Sequence, residues 1–171
     1  MARNVEVKAR VSDWPGLSAR ARELWGEPQL LRQRDAFFPC PDGRLKLRLQ
    51  EPGPSYLIFY RRADEAGPKA SDWLGADVAD GDAARRLLAA AFGEAAFVAK
   101  TRLLFMSGRT RVHLDDVDGL GRFLELEVVL RDGEDAASGE AEARTLLSRL
   151  GVAPGDLVRG AYADLSRPGA G

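Results

Sequence analysis

The sequence predicts an α+β fold in which one antiparallel sheet curls into a barrel around a polar lumen, with helices packed outside. Three observations predict it. Short stretches of alternation recur along the chain, as in strands with one apolar and one polar face. The polar faces gather like charges: Lys8; Arg44, Lys46 and Arg48; Arg62; Lys100 and Arg102; Arg109 and Arg111, with the acids Glu6, Asp115, Glu125 and Glu127 added. The opposite faces are mostly Leu and Val, and three amphipathic helical segments are available to cover them. On an open, solvated sheet the signs would be interspersed, because like charges on neighbouring strands repel. A sheet that is apolar outside and charged inside can instead close on itself.

Asn4, Glu6, Lys8 and Arg10 alternate with Val5, Val7 and Ala9, which makes a first strand. Ser12 and Asp13 offer caps, Pro15 suits a first helical turn, and Leu17, Ala21, Leu24 and Trp25 recur at helical spacing until Gly26. Gln29 to Phe38 reads as a strand closed by a turn at Pro39, Pro41, Asp42 and Gly43. RLKLRLQ then sets Arg44, Lys46 and Arg48 against Leu45, Leu47 and Leu49, and Ser55 to Arg62 follows with Ile58, Tyr60 and Arg62 sharing a face.

The stretch from Ala63 to Gly75 reads as a loop. Asp80 or Asp82 can cap a second helix with Leu87, Leu88, Ala91 and Phe92 as its buried stripe and Gly93 at its end. Lys100 and Arg102 open another strand. The stretch Gly108 to Leu130 is a hairpin: Arg109, Arg111, His113 and Asp115 on one face, a turn on Asp118, Gly119 and Gly121, then Glu125 and Glu127 returning beside them. Ser138 caps a third helix, Glu140 to Leu150, closed by Gly151, and the tail Leu157 to Leu165 adds a last strand or turn.

Residues 1–171 read as one domain without repeats or low-complexity linkers. Lys and Arg number 25 against 26 Asp and Glu, so no net charge draws the chain to nucleic acid or to a membrane surface. No apolar run approaches a membrane span and MARNVEVKAR lacks a signal-peptide core, so a cytoplasmic location is expected. The single cysteine, Cys40, excludes an internal disulfide and reads as a space-filler. A lumen of sorted cations needs a ligand, since the charges are held close with little solvent. Converging cations suit a highly charged oxyanion, and carboxylates on the facing wall suit Mg²⁺ or Mn²⁺, which together describe a metal-bound triphosphate.

Over nearly its whole length the chain resembles the CYTH superfamily, the triphosphate tunnel metalloenzymes, which include class IV adenylyl cyclases and thiamine or inorganic triphosphatases. The resemblance rests on NVEVK at residues 4–8, matching a Glu-x-Glu-x-Lys signature with Asn4 in place of the first acid, and on RLKLR, KTR at residues 100–102, R-x-R-x-H-x-D at 109–115, GLGRFLELE and AYADL in the family's order. It implies an antiparallel eight-stranded β-barrel, the triphosphate tunnel. It implies Glu6, Asp115, Glu125 and Glu127 as ligands of Mg²⁺ or Mn²⁺, and Arg44, Lys46, Arg48, Arg62, Lys100, Arg102, Arg109 and Arg111 as phosphate-binding cations. Lys8, Glu6 and Arg48 are the implied catalytic set, with Lys8 either assisting proton transfer or holding phosphate. Arg61 could replace Arg62, His113 reads as a wall residue, and Tyr162 as a lid or core. The implied reaction is nucleotidyl cyclisation, ATP to cyclic AMP and pyrophosphate. The alternatives are hydrolysis of inorganic, thiamine or nucleoside triphosphate, and non-catalytic nucleotide or polyphosphate binding. A homodimer is compatible with the resemblance.

Overall fold

The computed structural model describes residues 1–165. Eight strands, β1 (Ala2–Arg10), β2 (Gln29–Phe38), β3 (Arg44–Glu51), β4 (Ser55–Arg62), β5 (Lys69–Val78), β6 (Ala96–Ser107), β7 (Thr110–Val117) and β8 (Gly121–Val129), form a closed barrel. Their order around it is β1-β5-β4-β3-β2-β6-β7-β8, with β8 returning to β1 and every neighbouring pair antiparallel. Closure leaves no free sheet edge, and alternation gives each strand one row of side chains in the lumen and one outside.

The outward rows pack beneath helices. Helices α1 (Trp14–Trp25) and α3 (Ala136–Leu150) cover Val5, Val7, Val112, Leu114, Leu124 and Leu126, all essentially inaccessible to solvent. Helix α2 (Gly81–Phe92) lays Ala84, Leu88 and Ala89 over Ala36, Leu47 and Leu49. A third apolar cluster lies across one end of the barrel, where Phe37, Val98, Val117 and Phe123 meet Tyr162 and Ala163 of the short helix α4 (Tyr162–Leu165). Among the described residues no helix is long and apolar enough to cross a membrane.

Four readings need correction. The segment read as a loop to Gly75 contains β5 from Lys69, which pairs with both β1 and β4. Its Asp72, Gly75 and Asp77 carry little strand preference, so partners distant in sequence decide its conformation. In α2 the inward, partly buried stripe is Ala84, Leu88 and Ala89, whereas Leu87 and Phe92 are 67% and 57% exposed. Gly81 sets the angle: a Cβ there would fall 2.3 Å from Leu49, so the helix starts hard against β3 and turns a neighbouring face inward. Asp135, rather than Ser138, caps α3, its carboxylate accepting from the Ala137 N–H. The tail forms a 3-10 turn at Pro154–Asp156, a single bridge from Leu157 to Ala9, and α4.

Leu47→Asp is expected to abolish cooperative folding. The side chain is fully buried under α2, and an unpaired buried charge costs about 5 kcal/mol or more, as much as the whole stability of many domains. A cooperative thermal melt near that of the wild type would mean that the inner and outer faces of β3 have been exchanged.

Candidate active site

Strand parity alone brings the functional side chains together. Glu6 and Lys8 of β1, Lys46 and Arg48 of β3, Arg62 of β4, Lys100 and Arg102 of β6, Arg111 and His113 of β7, and Glu125 and Glu127 of β8 all line one cavity of about 510 Å³. Seven Lys and Arg face five carboxylates there, so the lumen retains an excess of positive charge for an anion. Arg62 points inward while Arg61 turns out to bond the Asp42 carbonyl, which decides between the two.

The cations are not left facing one another. Arg48 donates two hydrogen bonds to Asp35, at 2.7 and 2.6 Å, with Lys46 and Lys100 at 3.5 and 3.9 Å from the same carboxylate. Arg102 makes the same two-pronged contact to Asp115, at 2.6 and 2.7 Å, and reaches Glu125 at 2.9 Å. Lys8 lies 3.0 Å from Glu125, and Arg62 lies 2.6 Å from Glu6. These bonds hold the guanidinium and ammonium groups in place before any ligand arrives, which lowers the ordering cost of binding. Asp35 was not singled out from the sequence. Its signal is parity: it is the inward acid of β2 directly opposite Arg48.

Three of the candidate residues stand apart from the cavity lining. Arg109 lies before β7, on the two-residue connection opened by Gly108 at φ 58°. That turn carries it outside, where Glu134, just before α3, and Glu142, within it, take its guanidinium at 2.6 and 2.9 Å. Arg44 stands outside the cavity lining, clasped by Asp64 and Asp164 at 2.7 and 2.8 Å, so it ties the β4–β5 connection to α4. Asp115 is completely buried, with both oxygens taken by Arg102 and one also accepting from the Tyr162 hydroxyl at 2.8 Å. In this geometry it anchors Arg102. Tyr162 is accordingly core, with Lys8 and Lys100 held 4.1 and 4.8 Å above its ring.

The metal-binding potential lies at His113, Glu125 and Glu127, whose ligand atoms fall within 4.8 Å of one another. His113 Nδ1 is buried, has no hydrogen-bond partner among the described residues, and sits 3.7 and 3.8 Å from the two carboxylates. Burial, reinforced by Arg102, pushes its pKa down and favours the neutral ring that can ligate. An orphaned nitrogen beside two carboxylates is a donor set that a divalent cation fits. Glu6 adjoins this group, opposite Glu127 across the β1–β8 ladder, and Asn4 steadies it through a 3.2 Å bond from Nδ2. Asn4 thus steadies an acid from the position where the family signature has another acid, and its own Oδ1 is buried without a partner among the described residues.

Electrostatics separate the lysines. Burial, then the charge of Arg102, brings Lys100 down to about 7, and burial with Arg62 and Lys8 brings Lys69 to about 8. Burial opposes ionisation of Asp35 too, but Arg48 and Lys46 override it and hold the carboxyl well below its usual range. In the unfolded chain both lysines keep their protons to about pH 10. Between pH 7 and that limit the unfolded state thus binds more protons, and stability rises with pH. The melting temperature of the ligand-free protein is expected to increase from pH 7 to pH 9 at constant ionic strength, with a smaller increase in Lys100→Met. A flat or falling curve would contradict the placement of these ammonium groups.

Comparison with known proteins gives a match to the family model of the CYTH domain over residues 2–162. Adenylate cyclase CyaB of Aeromonas hydrophila is 25% identical, covering 94% of this chain and 87% of its own length. Among solved structures, the PH1012 protein of Pyrococcus horikoshii OT3 superposes with a TM-score of 0.85 at 23% identity, covering 96% of this chain and 99% of its own. HpAC1 of Hippeastrum, whose dominant activity is described as that of a triphosphatase, gives 0.63 at 12% identity over 94% and 91% of the two chains. At these identities the solved structures speak to the fold.

Proposed function

The chain belongs to the CYTH domain family, and from that premise we propose that it is a divalent-metal-dependent nucleotidyl cyclase that converts ATP into cyclic AMP and pyrophosphate. The observation that carries this reading is the lumen itself: pre-paired cations facing a His113, Glu125 and Glu127 cluster in one cavity. In the reaction the ribose 3′-oxygen bonds to the α-phosphorus, the bond from that phosphorus to the bridging oxygen breaks, pyrophosphate leaves, and the hydroxyl proton is released. Glu125, Glu127 and His113 would hold Mg²⁺ or Mn²⁺, with Glu6 alongside. When bound, the cation supplies charge neutralisation and alignment of phosphate oxygens.

The chain's own residues do the rest. Arg48 and Lys46 on β3 and Arg102 on β6 form a fixed positive wall on either side of β2 that binds the triphosphate and favours charge building on the leaving pyrophosphate. Lys8, set against Glu125 and the Tyr162 ring, is positioned to hold phosphate. Lys100, with its pKa near neutrality, is the better assignment for accepting the hydroxyl proton. Incubation with ATP, GTP, inorganic triphosphate and thiamine triphosphate, each with Mg²⁺ or Mn²⁺, tests the reading by product. Cyclic nucleotide with pyrophosphate is expected. Orthophosphate in their place would make the protein a triphosphatase, and an absence of turnover with binding retained would make it a sensor.

A further inference from the structure

His113 is the one histidine of the chain, and it lies inside the lumen, 3% exposed. It projects from β7 directly opposite Glu125 of β8, and Glu127 follows two residues farther along the same face. The three side chains stand on neighbouring strands of one ladder, so the sheet itself sets their spacing. Nδ1 is 3.7 and 3.8 Å from the two carboxylates. Those distances are too long for hydrogen bonds, so neither acid fixes a proton on Nδ1. With the ring proton on Nε2, the Nδ1 lone pair is free to bind a cation.

Most oxygens around that nitrogen are already engaged. Glu6 accepts from Arg62 at 2.6 Å and from Asn4 at 3.2 Å. Asp35 and Asp115 each take a guanidinium through two hydrogen bonds. Glu125 accepts from Lys8 at 3.0 Å through one oxygen and from Arg102 at 2.9 Å through the other. Glu127 meets Arg111 through Oε2, at 3.4 Å. An entering ion therefore finds Glu127 Oε1 and His113 Nδ1 as its least committed donors, and one of the two is a nitrogen. Mg²⁺ demands a shell of oxygens and sheds its water reluctantly, so an imidazole gives it little. The later first-row ions accept imidazole readily, and affinity for such a site rises from Mn²⁺ to Co²⁺.

We propose that His113 ligates the divalent cation through Nδ1 and makes the cluster a mixed nitrogen and oxygen site, selective for a first-row transition ion such as Mn²⁺ or Co²⁺ over Mg²⁺. This rests on the metal-dependent reading of the lumen and adds the class of metal that it takes. Charge does not rank the three ions, because each carries the same charge toward Glu125 and Glu127. The nitrogen does.

A single histidine allows the test to be made on the wild type. Untagged protein is prepared with ordinary histidine and with histidine labelled with ¹⁵N in the ring, loaded with Mn²⁺ without nucleotide, and read by pulsed electron paramagnetic resonance. The ordinary sample should show a coupled ¹⁴N nucleus, and the labelled sample should replace it with ¹⁵N. Calorimetric titration then gives the order of affinity: Co²⁺ tightest, Mn²⁺ next, and Mg²⁺ weaker than Co²⁺ by at least about tenfold, the loss that removing even an outer partner of a ligand causes. His113→Gln should weaken Co²⁺ by a similar factor and leave Mg²⁺ nearly unchanged. Mn²⁺ that binds without nitrogen coupling overturns the proposal and leaves a carboxylate metal site standing, and so does Mg²⁺ that binds as tightly as Co²⁺. No binding of any of the three ions overturns the metal site and the proposal together. The isotope exchange decides the matter even if the glutamine variant does not fold.

Discussion

Glu127→Gln is expected to lower metal-dependent turnover by about 100-fold or more while leaving the melting temperature within a few degrees of the wild type. Glu127 shares the cluster with His113 and Glu125, and its one guanidinium contact among the described residues, to the 40% exposed side chain of Arg111, is long at 3.4 Å. Neutralising it removes charge where a cation would sit and strands no buried partner. Glu125→Gln should abolish turnover as well, but with a second effect. Lys8 at 3.0 Å and Arg102 at 2.9 Å both lean on that carboxylate in buried surroundings. Breaking a buried pair from one side costs about 3–5 kcal/mol, which for a chain of this length lowers the melting temperature on the order of 10 °C. Titration of Mn²⁺ alongside the activity assay separates the two variants. Full metal-dependent activity in Glu127→Gln would remove the cluster from the reaction.

Much of this arrangement is legible in the chain because a barrel strand is read two residues at a time. RLKLRLQ and the Arg111, His113, Glu125, Glu127 pairing needed no partner information, and the ladder places Arg111 opposite Glu127 and His113 opposite Glu125. Parity fails where the strand ends. Arg109 continues the alternation by one residue past the Gly108 connection, and the turn sends it to α3. Parity also gives direction without depth. Asp115 faces inward with His113, yet it sits behind Arg102 as that residue's counter-charge.

The larger omission is β5. Lys69–Val78 has glycine and aspartate where a local reading wants branched residues, and it becomes a strand because β1 and β4 flank it. Trp73, Gly75 and Asp77 travel with it, so part of the cavity lining was hidden inside an apparent loop. The expectation that sorted cations would repel in the ligand-free lumen likewise missed Asp35. One buried carboxylate answers Arg48, Lys46 and Lys100 together. The lumen is thus a set of oriented ion pairs, stable enough to fold and still positive enough to recruit an anion.

Asp115→Asn is expected to harm the fold about as much as Glu125→Gln, again through a single polar change. Asp115 Oδ1 accepts from Arg102 Nε at 2.6 Å, and Oδ2 accepts from Arg102 Nη2 at 2.7 Å and from the Tyr162 hydroxyl at 2.8 Å. An amide keeps one acceptor and turns an N–H₂ toward groups that can only donate, or toward a hydroxyl already committed as a donor. The guanidinium keeps Glu125, but its planar two-pronged partner is gone. Loss of a buried pair and an unsatisfied donor together cost about 3–5 kcal/mol, so the melting temperature should fall on the order of 10 °C in the absence of metal. Burial opposes the ionised form of Asp115, yet Arg102 and Lys100 override it and hold its pKa far below the carboxylate range. Its stabilising contribution is therefore complete above the ordinary carboxylate pKa of about 4 and drains away only as the pH falls below that value. The wild type should resist acid further down the scale than the variant, and the two melting curves should converge at low pH. Tyr162→Phe, which removes one donor and no charge, should cost about 1 kcal/mol by comparison. A metal ligand would behave in the opposite way: Asp115→Asn would melt like the wild type without metal and lose only the stabilisation that added Mn²⁺ confers. That pattern would return Asp115 to the metal site and leave Arg102 without its anchor.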